Sequence, residues 1–317
     1  MGCHVPCLST TMTIFDILVA GEINPDLILT GDVMPEFGQV EKLLDSAALT
    51  IGSSSAIFAC AAARLGLKVA FAGLSGDDVF GRFMLDEMQG RGIDTSQVVI
   101  DPSRATGISV ILNRSSDRAI LTFPGLIPAL KASDVPDSLL RQARHLHVAS
   151  YFLQTNLHPG LCELFQRARS HGATTSLDTN YDPAEEWLGL DELLSVTDVF
   201  LPNETEALAV THLTDVEAAA RQLAKAARLV AVKLGVAGAL ACEADTVIRS
   251  ASLPVNVVDS VGAGDSFDAG FLYGYLHHWS TERSLRMACV CGALSMRKPG
   301  GTNGQPTVEE ALRYVPG

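Results

Sequence analysis

The sequence predicts an α/β fold in which a mostly parallel sheet carries helices on both faces and a small β-strand lid covers one edge. Three observations lead there. Apolar runs and helical patterns alternate through most of the 317 residues, as strand–helix repeats do in parallel sheets. Several of the runs are apolar on both faces, as strands in a covered sheet should be. Two early segments break the alternation with hairpin-like strands and no helix between them.

Strands are expected at 15–20, 69–72, 145–149, 174–178, 199–201 and 229–234, and helices at 54–65, 79–89, 159–171, 204–211 and 216–227. Asp77 and Asn203 are the expected N-caps, and Gly66 and Gly172 the expected stops. The segments 23–52 and 106–124 read as the lid strands; the second is a hairpin turning through 113–118. Such an insertion would lie over the C-terminal edge of the sheet, where ligands bind in α/β folds. Ordinary edge strands extending the main sheet are the alternative. Late in the chain, 253–258 reads as one more strand, and 263–275 as a helix with Phe267, Phe271 and Tyr275 spaced by fours. One domain over 13–317 is expected, after a loose leader at 1–12.

Composition narrows the function. The chain is 47% apolar and 19% charged, with a net charge of −13. That charge argues against nucleic-acid and anionic-membrane partners. No apolar run reaches the roughly 18 residues that span a bilayer, and residues 1–12 lack the blocks of a signal peptide. Seven scattered cysteines suggest reduced thiols in a cytoplasm. Cys3/Cys7 and Cys289/Cys291 lack a second pair at zinc-site spacing, and His145/His147 lack a further ligand set.

The chemistry is concentrated in 258–267, Val-Asp-Ser-Val-Gly-Ala-Gly-Asp-Ser-Phe. Gly262 and Gly264 fall at a helix N-terminus, where unpaired N–H groups and the positive end of the dipole make an anion site. Asp265 projects from the first turn. A carboxylate beside such a cradle can take a proton from an alcohol while the cradle holds a transferring phosphoryl group. The bland alternative is that Asp265 complements the dipole and the glycines merely turn the chain. No P-loop, dinucleotide fingerprint or nucleophile elbow is present.

Residues 258–267 resemble the second signature of the ribokinase-like, or PfkB-family, carbohydrate kinases, and further features agree in order over about 14–313. Gly21 to Asp26 resembles the segment whose Asn and Asp bind sugar hydroxyls, and Gly52 to Gly66 the first signature. Asn203 and Glu206 match the N-x-x-E motif, 233–239 the nucleotide-binding turn, and 300–307 the C-terminal loop. The resemblance implies a three-layer α/β/α sandwich with a lid and ATP-dependent phosphorylation of a sugar hydroxyl. Asp265 would be the base, and the N–H groups of Gly262, Ala263 and Gly264 the anion hole. Asn24, Asp26, Gly52 and Ser53 would bind sugar, with Arg104 and Tyr151 as further candidates facing the lid. Asn203, Lys233, Gly235, Gly238 and Gly264 would bind ATP. Asn203 and Glu206, at i, i+3 on one helical face, would orient a hydrated Mg²⁺; a helix cap plus a solvated Glu is the alternative. Asp259 and the Val261 carbonyl lie where some relatives bind K⁺, and many relatives dimerise through the lid.

The sequence also departs from the family. The usual second Gly of the first signature is Ser53 and the usual Asn is Ile57. The loss of that Asn points to a substrate with a deoxy or apolar group there. The lack of a Lys at Ser53 points to an unphosphorylated sugar. A nucleoside kinase of the same fold and a ligand-binding regulator without turnover are the competing functions.

Overall fold

The computed structural model describes residues 14–114 and 117–316. Its large sheet contains β1 (Ile17–Ala20), β4 (Val69–Gly76), β5 (Asp94–Asp101), β8 (His145–Val148), β9 (Thr174–Leu177), β10 (Val199–Phe200), β11 (Leu229–Lys233), β12 (Ala239–Glu243) and β13 (Thr246–Ser250). Their order is β13-β12-β11-β10-β9-β8-β1-β4-β5. Pairing is parallel from β11 through to β5 and antiparallel only in the terminal β11–β12–β13 ribbon. A second sheet, ordered β3-β2-β6-β7, is built from β2 (Pro25–Thr30), β3 (Ser46–Ile51), β6 (Ile108–Arg114) and β7 (Asp117–Phe123). This smaller sheet is the lid.

Helices cover both faces of the large sheet. They are α1 (Ser54–Arg64), α2 (Val79–Gly90), α3 (Asp137–Leu140), α4 (His158–Ser170), α5 (Asp191–Ser195), α6 (Glu204–Thr211), α7 (Val216–Leu223), α8 (Ala263–Leu276), α9 (Thr281–Ser295) and α10 (Val308–Leu312). Strand alternation divides the core. Ile17, Val19 and Ala231 pack with Phe58 of α1, Met84 of α2 and Phe271 of α8. Leu18, Ala20 and Val230 face the other way, onto Phe165 of α4 and Ala219 of α7. Each strand residue is thus buried whichever way it points, which is why these runs show no polar alternation.

Four expectations change. The run 253–258 forms no strand; the Val258 and Asp259 amides bond to the Met296 carbonyl at the end of α9 instead, and Val257 and Val258 stay exposed. The hairpin β12–β13 and the edge strand β5 had not been expected. The N-cap of α2 is Asp78, whose carboxylate accepts the Gly81 amide at 2.8 Å; Asp77 pairs with Arg82. Asn203 caps α6 as expected. The expected leader at 1–12, with Cys3 and Cys7, and Ser115 and Ser116 of the lid turn lie outside the described residues. Among those described, no helix is long and apolar enough to cross a membrane.

Candidate active site

The site gathers where the C-terminal ends of β1, β9 and β11 meet the first turns of α1, α6 and α8. Gly262 is the N-cap of α8 in the left-handed region (φ 72°). A methyl added there would lie 2.6 Å from the Gly301 carbonyl oxygen and 2.8 Å from Ile57, so only glycine lets the two loops and α1 close together. Of the three amides expected to form the anion hole, that of Ala263 donates to the Ser260 carbonyl at 3.3 Å. The Gly264 amide lies in the first turn, where a helix offers no acceptor.

Asp265 is 9% exposed. Burial pushes its carboxyl up to about 7, while a hydrogen bond from the Ser54 hydroxyl draws it down. Beneath it lies a buried ion cluster. Lys233 Nζ donates to Asp178 at 2.7 Å and to Asp268 at 3.2 Å. Burial works against the ammonium, but Asp178, Asp268 and Glu206 hold its pKa above the ordinary lysine value. Burial would raise Asp178 as well, yet Lys233 keeps it below the usual carboxylate range. Burial drives Asp268 well above that range and takes Glu206 up to about 7.

Asn203 and Glu206 bond to each other. The Asn203 side chain accepts the Glu206 amide at 2.9 Å and donates to Glu206 Oε1 at 2.6 Å, and Glu206 Oε2 accepts the Asn203 amide at 2.8 Å. This is the capping box allowed for as the alternative. Among the described residues no cluster of three His, Cys, Asp or Glu is placed to hold a metal directly. Asp178 and Glu206, near enough for the charge of Asp178 to act on Glu206, supply hard oxygen atoms of the kind that hold a hydrated Mg²⁺ through water.

Asn24 and Asp26 are buried at the start of the lid strand β2. A methyl on Gly52 would lie 2.2 Å from Asp26 Oδ1, so this glycine permits their close approach. Burial raises the Asp26 carboxyl to about 7; Arg118 of the lid lowers it, and Asp259 raises it. Ser53 is turned inward, with its hydroxyl donating to the Glu22 carbonyl at 2.7 Å. Asp259 ties two loops together, accepting the Val261 amide at 3.0 Å and the Gly300 amide at 2.8 Å.

Two candidates lie apart from this group. Arg104 is committed to Asp101 at 2.7 Å. Tyr151 is a core residue whose hydroxyl donates to the Gly189 carbonyl and whose ring stacks on His158. Ile57, expected to form an apolar wall for substrate, is 4% exposed and lies behind Gly262 and Gly301. His145 and His147 share the Ser176 hydroxyl in the interior, and Cys289 and Cys291 are buried on α9. Glu22, Arg118 and Asp268 were not singled out from sequence. Asp268 had a usable signal: it sits one helical turn beyond Asp265.

On the other side of Gly264 opens a cleft of about 590 Å³, lined by Lys233, Gly235, Gly238, Phe267 and Met296 among others. Four of the five residues expected to bind ATP therefore border one cavity. The family model of the pfkB carbohydrate kinases matches residues 15–308. The chain belongs to the pfkB family of carbohydrate kinases. As such it is an ATP-dependent kinase that phosphorylates a hydroxyl of a small sugar or sugar derivative.

Relatives of this pfkB protein agree. An uncharacterized sugar kinase of Archaeoglobus fulgidus is 30% identical over 246 residues, 77% of this chain and 97% of the relative. The ribokinase of Haemophilus influenzae is 29% identical, covering 94% and 98%. The deoxyribokinase of Salmonella typhi is 28% identical, covering 95% and 98%. Among solved structures, a chain provisionally named ribokinase II from E. coli, in complex with ATP and Mg²⁺, superposes with a TM-score of 0.84 at 23% identity over 95% and 99%. Arabidopsis thaliana ribokinase with ribose and ATP gives 0.83 at 22% over 95% and 98%. These two show the shared fold.

Proposed function

We propose that this kinase phosphorylates an unphosphorylated monosaccharide held between the lid and the large sheet, with Asp265 as general base. The observation that carries the reading is the placement of the Asp265 carboxyl. It stands in the first turn of α8, next to Gly264 of the 590 Å³ cleft that would take ATP, and bonds to Ser54, two residues after the Gly52 against which Asp26 packs; Asn24 and Asp26 would take sugar hydroxyls. The Asp265 carboxylate takes the proton of the acceptor hydroxyl as the oxygen attacks the γ-phosphorus. The Gly264 amide and the N-terminal dipole of α8 stabilise charge on the phosphoryl oxygens. Lys233, Gly235 and Gly238 line the nucleotide side. Asn203, Glu206 and Asp178 would hold Mg²⁺ through water, and the bound ion would neutralise charge on the ATP phosphates.

An unphosphorylated substrate is supported by Ser53, whose hydroxyl is turned onto Glu22 where a phosphate anchor would need a cation. Relatives named ribokinase and deoxyribokinase make pentoses the first class to test. The proposal extends to a monovalent cation at Asp259 and the Val261 carbonyl, since each Asp259 oxygen keeps a free lone pair after its single amide bond. It also includes a homodimer joined through the lid.

The test is ATP turnover with D-ribose, 2-deoxy-D-ribose, D-fructose, their phosphate esters, sugar acids and adenosine, each in K⁺ and in Na⁺. The reading expects the highest kcat/KM with a free monosaccharide and faster turnover in K⁺. Preference for a phosphate ester or for adenosine would overturn the substrate class, and equal rates in both salts would remove the cation site.

A further inference from the structure

Three consecutive serines open α1, and they serve two different carboxyl groups. Ser53, the N-cap, sits in the left-handed region (φ 65°), where a non-glycine residue is strained. Its hydroxyl shares its one proton between the Glu22 carbonyl and Glu22 Oε1, at 2.7 and 3.0 Å, and accepts the Ala56 amide at 3.0 Å. Ser55 donates its amide to Glu22 Oε1 at 3.2 Å and its hydroxyl to Oε2 at 2.5 Å. Ser150, just beyond β8, adds a bond to Oε1 at 2.9 Å. A buried carboxyl group thus fixes the first turn of α1 through the serines on either side of Ser54.

Ser54 points elsewhere. Successive helical residues are rotated by about 100°, and the Ser54 hydroxyl donates to Asp265 Oδ1 across 211 residues of sequence. The Glu22 network anchors the turn, and the turn aims one donor at the base.

We propose that Ser54 is a positioning residue for phosphoryl transfer, holding Asp265 Oδ1 so that Oδ2 is the oxygen presented to the acceptor hydroxyl. This rests on the assignment of Asp265 as base. The proton passes from the acceptor to Oδ2 while the acceptor oxygen bonds to the γ-phosphorus and the bond from phosphorus to the bridging oxygen of ADP breaks. Ser54 keeps its own proton throughout. A donor on Oδ1 also favours the ionised carboxylate. It works against burial and the negative charges of Asp178 and Glu22, alongside Lys233; Asp268 also faces Asp265 from the next turn of α8.

The experiment compares Ser54→Ala, Ser54→Thr and Asp265→Asn with the natural protein, using ATP and the best sugar of the panel above. Ser54→Ala should lower kcat about tenfold, the worth of one hydrogen bond to a charged group. It should leave KM for ATP unchanged and move the acid limb of the kcat/KM profile to higher pH. Ser54→Thr, which keeps the hydroxyl, should restore both. If Asp265→Asn is inactive but Ser54→Ala retains the natural kcat and the natural acid limb, the role of Ser54 is refuted and the base stands. If Ser54→Ala is slow with an unmoved limb, or Ser54→Thr restores nothing, Ser54 serves only the helix turn and the proposal also falls. Substantial turnover by Asp265→Asn refutes the base itself.

Discussion

At the scale of single residues, the site is a group of carboxyls whose neighbours set different charges. Asp178 is kept ionised by Lys233, whereas burial brings Asp265 up to about 7. A base works in its ionised form, and kcat/KM reports the free enzyme. The rate should therefore climb about tenfold per pH unit below roughly pH 7 and level off above it. A flat profile from about pH 5 to 8 would contradict the assignment. The place of Asp265 in the first turn of a helix was legible in the sequence, because the two glycines before it mark the turn. Arg104 and Tyr151 were not, because a residue at a strand end or in a loop can point either way. Only the competition among neighbours sends Arg104 to Asp101 and Tyr151 to the Gly189 carbonyl. Ile57 shows the same limit: helical spacing puts it on the inner face of α1, and contact with Gly262 and Gly301 packs that face against the turn that opens α8.

At the scale of elements, the N-terminus of α8 depends on two glycines that do different work. Gly262 has φ 72°, and a methyl there would meet the Gly301 carbonyl oxygen at 2.6 Å. Gly262→Ala should cost about 1–3 kcal/mol of stability, seen as a lower Tm. A methyl on Gly264 meets only the Lys233 side chain, at ordinary contact distances of 3.6 and 3.7 Å. Gly264→Ala should therefore keep its Tm but lose turnover, because the methyl fills the space a phosphoryl group would approach through. Calorimetry and steady-state rates on both variants separate the roles; a large loss of Tm in Gly264→Ala with full activity would reverse them. The parallel strands were readable because burial on both faces leaves an unbroken apolar run. The run 253–258 has the same composition without a strand partner, since the Val258 and Asp259 amides are taken by Met296. The β12–β13 hairpin is hard to read from sequence because Ala-Leu-Ala-Cys-Glu and Thr-Val-Ile-Arg-Ser are only five residues each and the second mixes apolar with polar residues.

At the scale of the whole molecule, a large sheet sets the candidate site groups at its C-terminal edge and a small sheet forms the lid. The lid strand β7 exposes Leu121 (61%) and Phe123 (55%), apolar surface suited to a second copy of the chain. If the lid joins a homodimer as proposed, the natural protein should sediment as a dimer and the doubly substituted Leu121→Asp/Phe123→Asp protein as a monomer; identical masses would count against the lid contact. The alternation of elements, the lid and the order of motifs were all legible along the chain. The network from Glu22 through Ser53 and Ser55, with Ser54 bonded to Asp265, was not, because it depends on contacts between the segment after β1, α1 and α8 that no local pattern encodes. The whole account turns on Asp265, and Asp265→Asn tests it most directly in one set of binding and rate measurements. The account predicts that kcat falls by about 10²–10⁴-fold while the dissociation constants for ATP and sugar stay within a few-fold of the natural protein. A variant that binds both normally and keeps more than about a tenth of the natural kcat would contradict it.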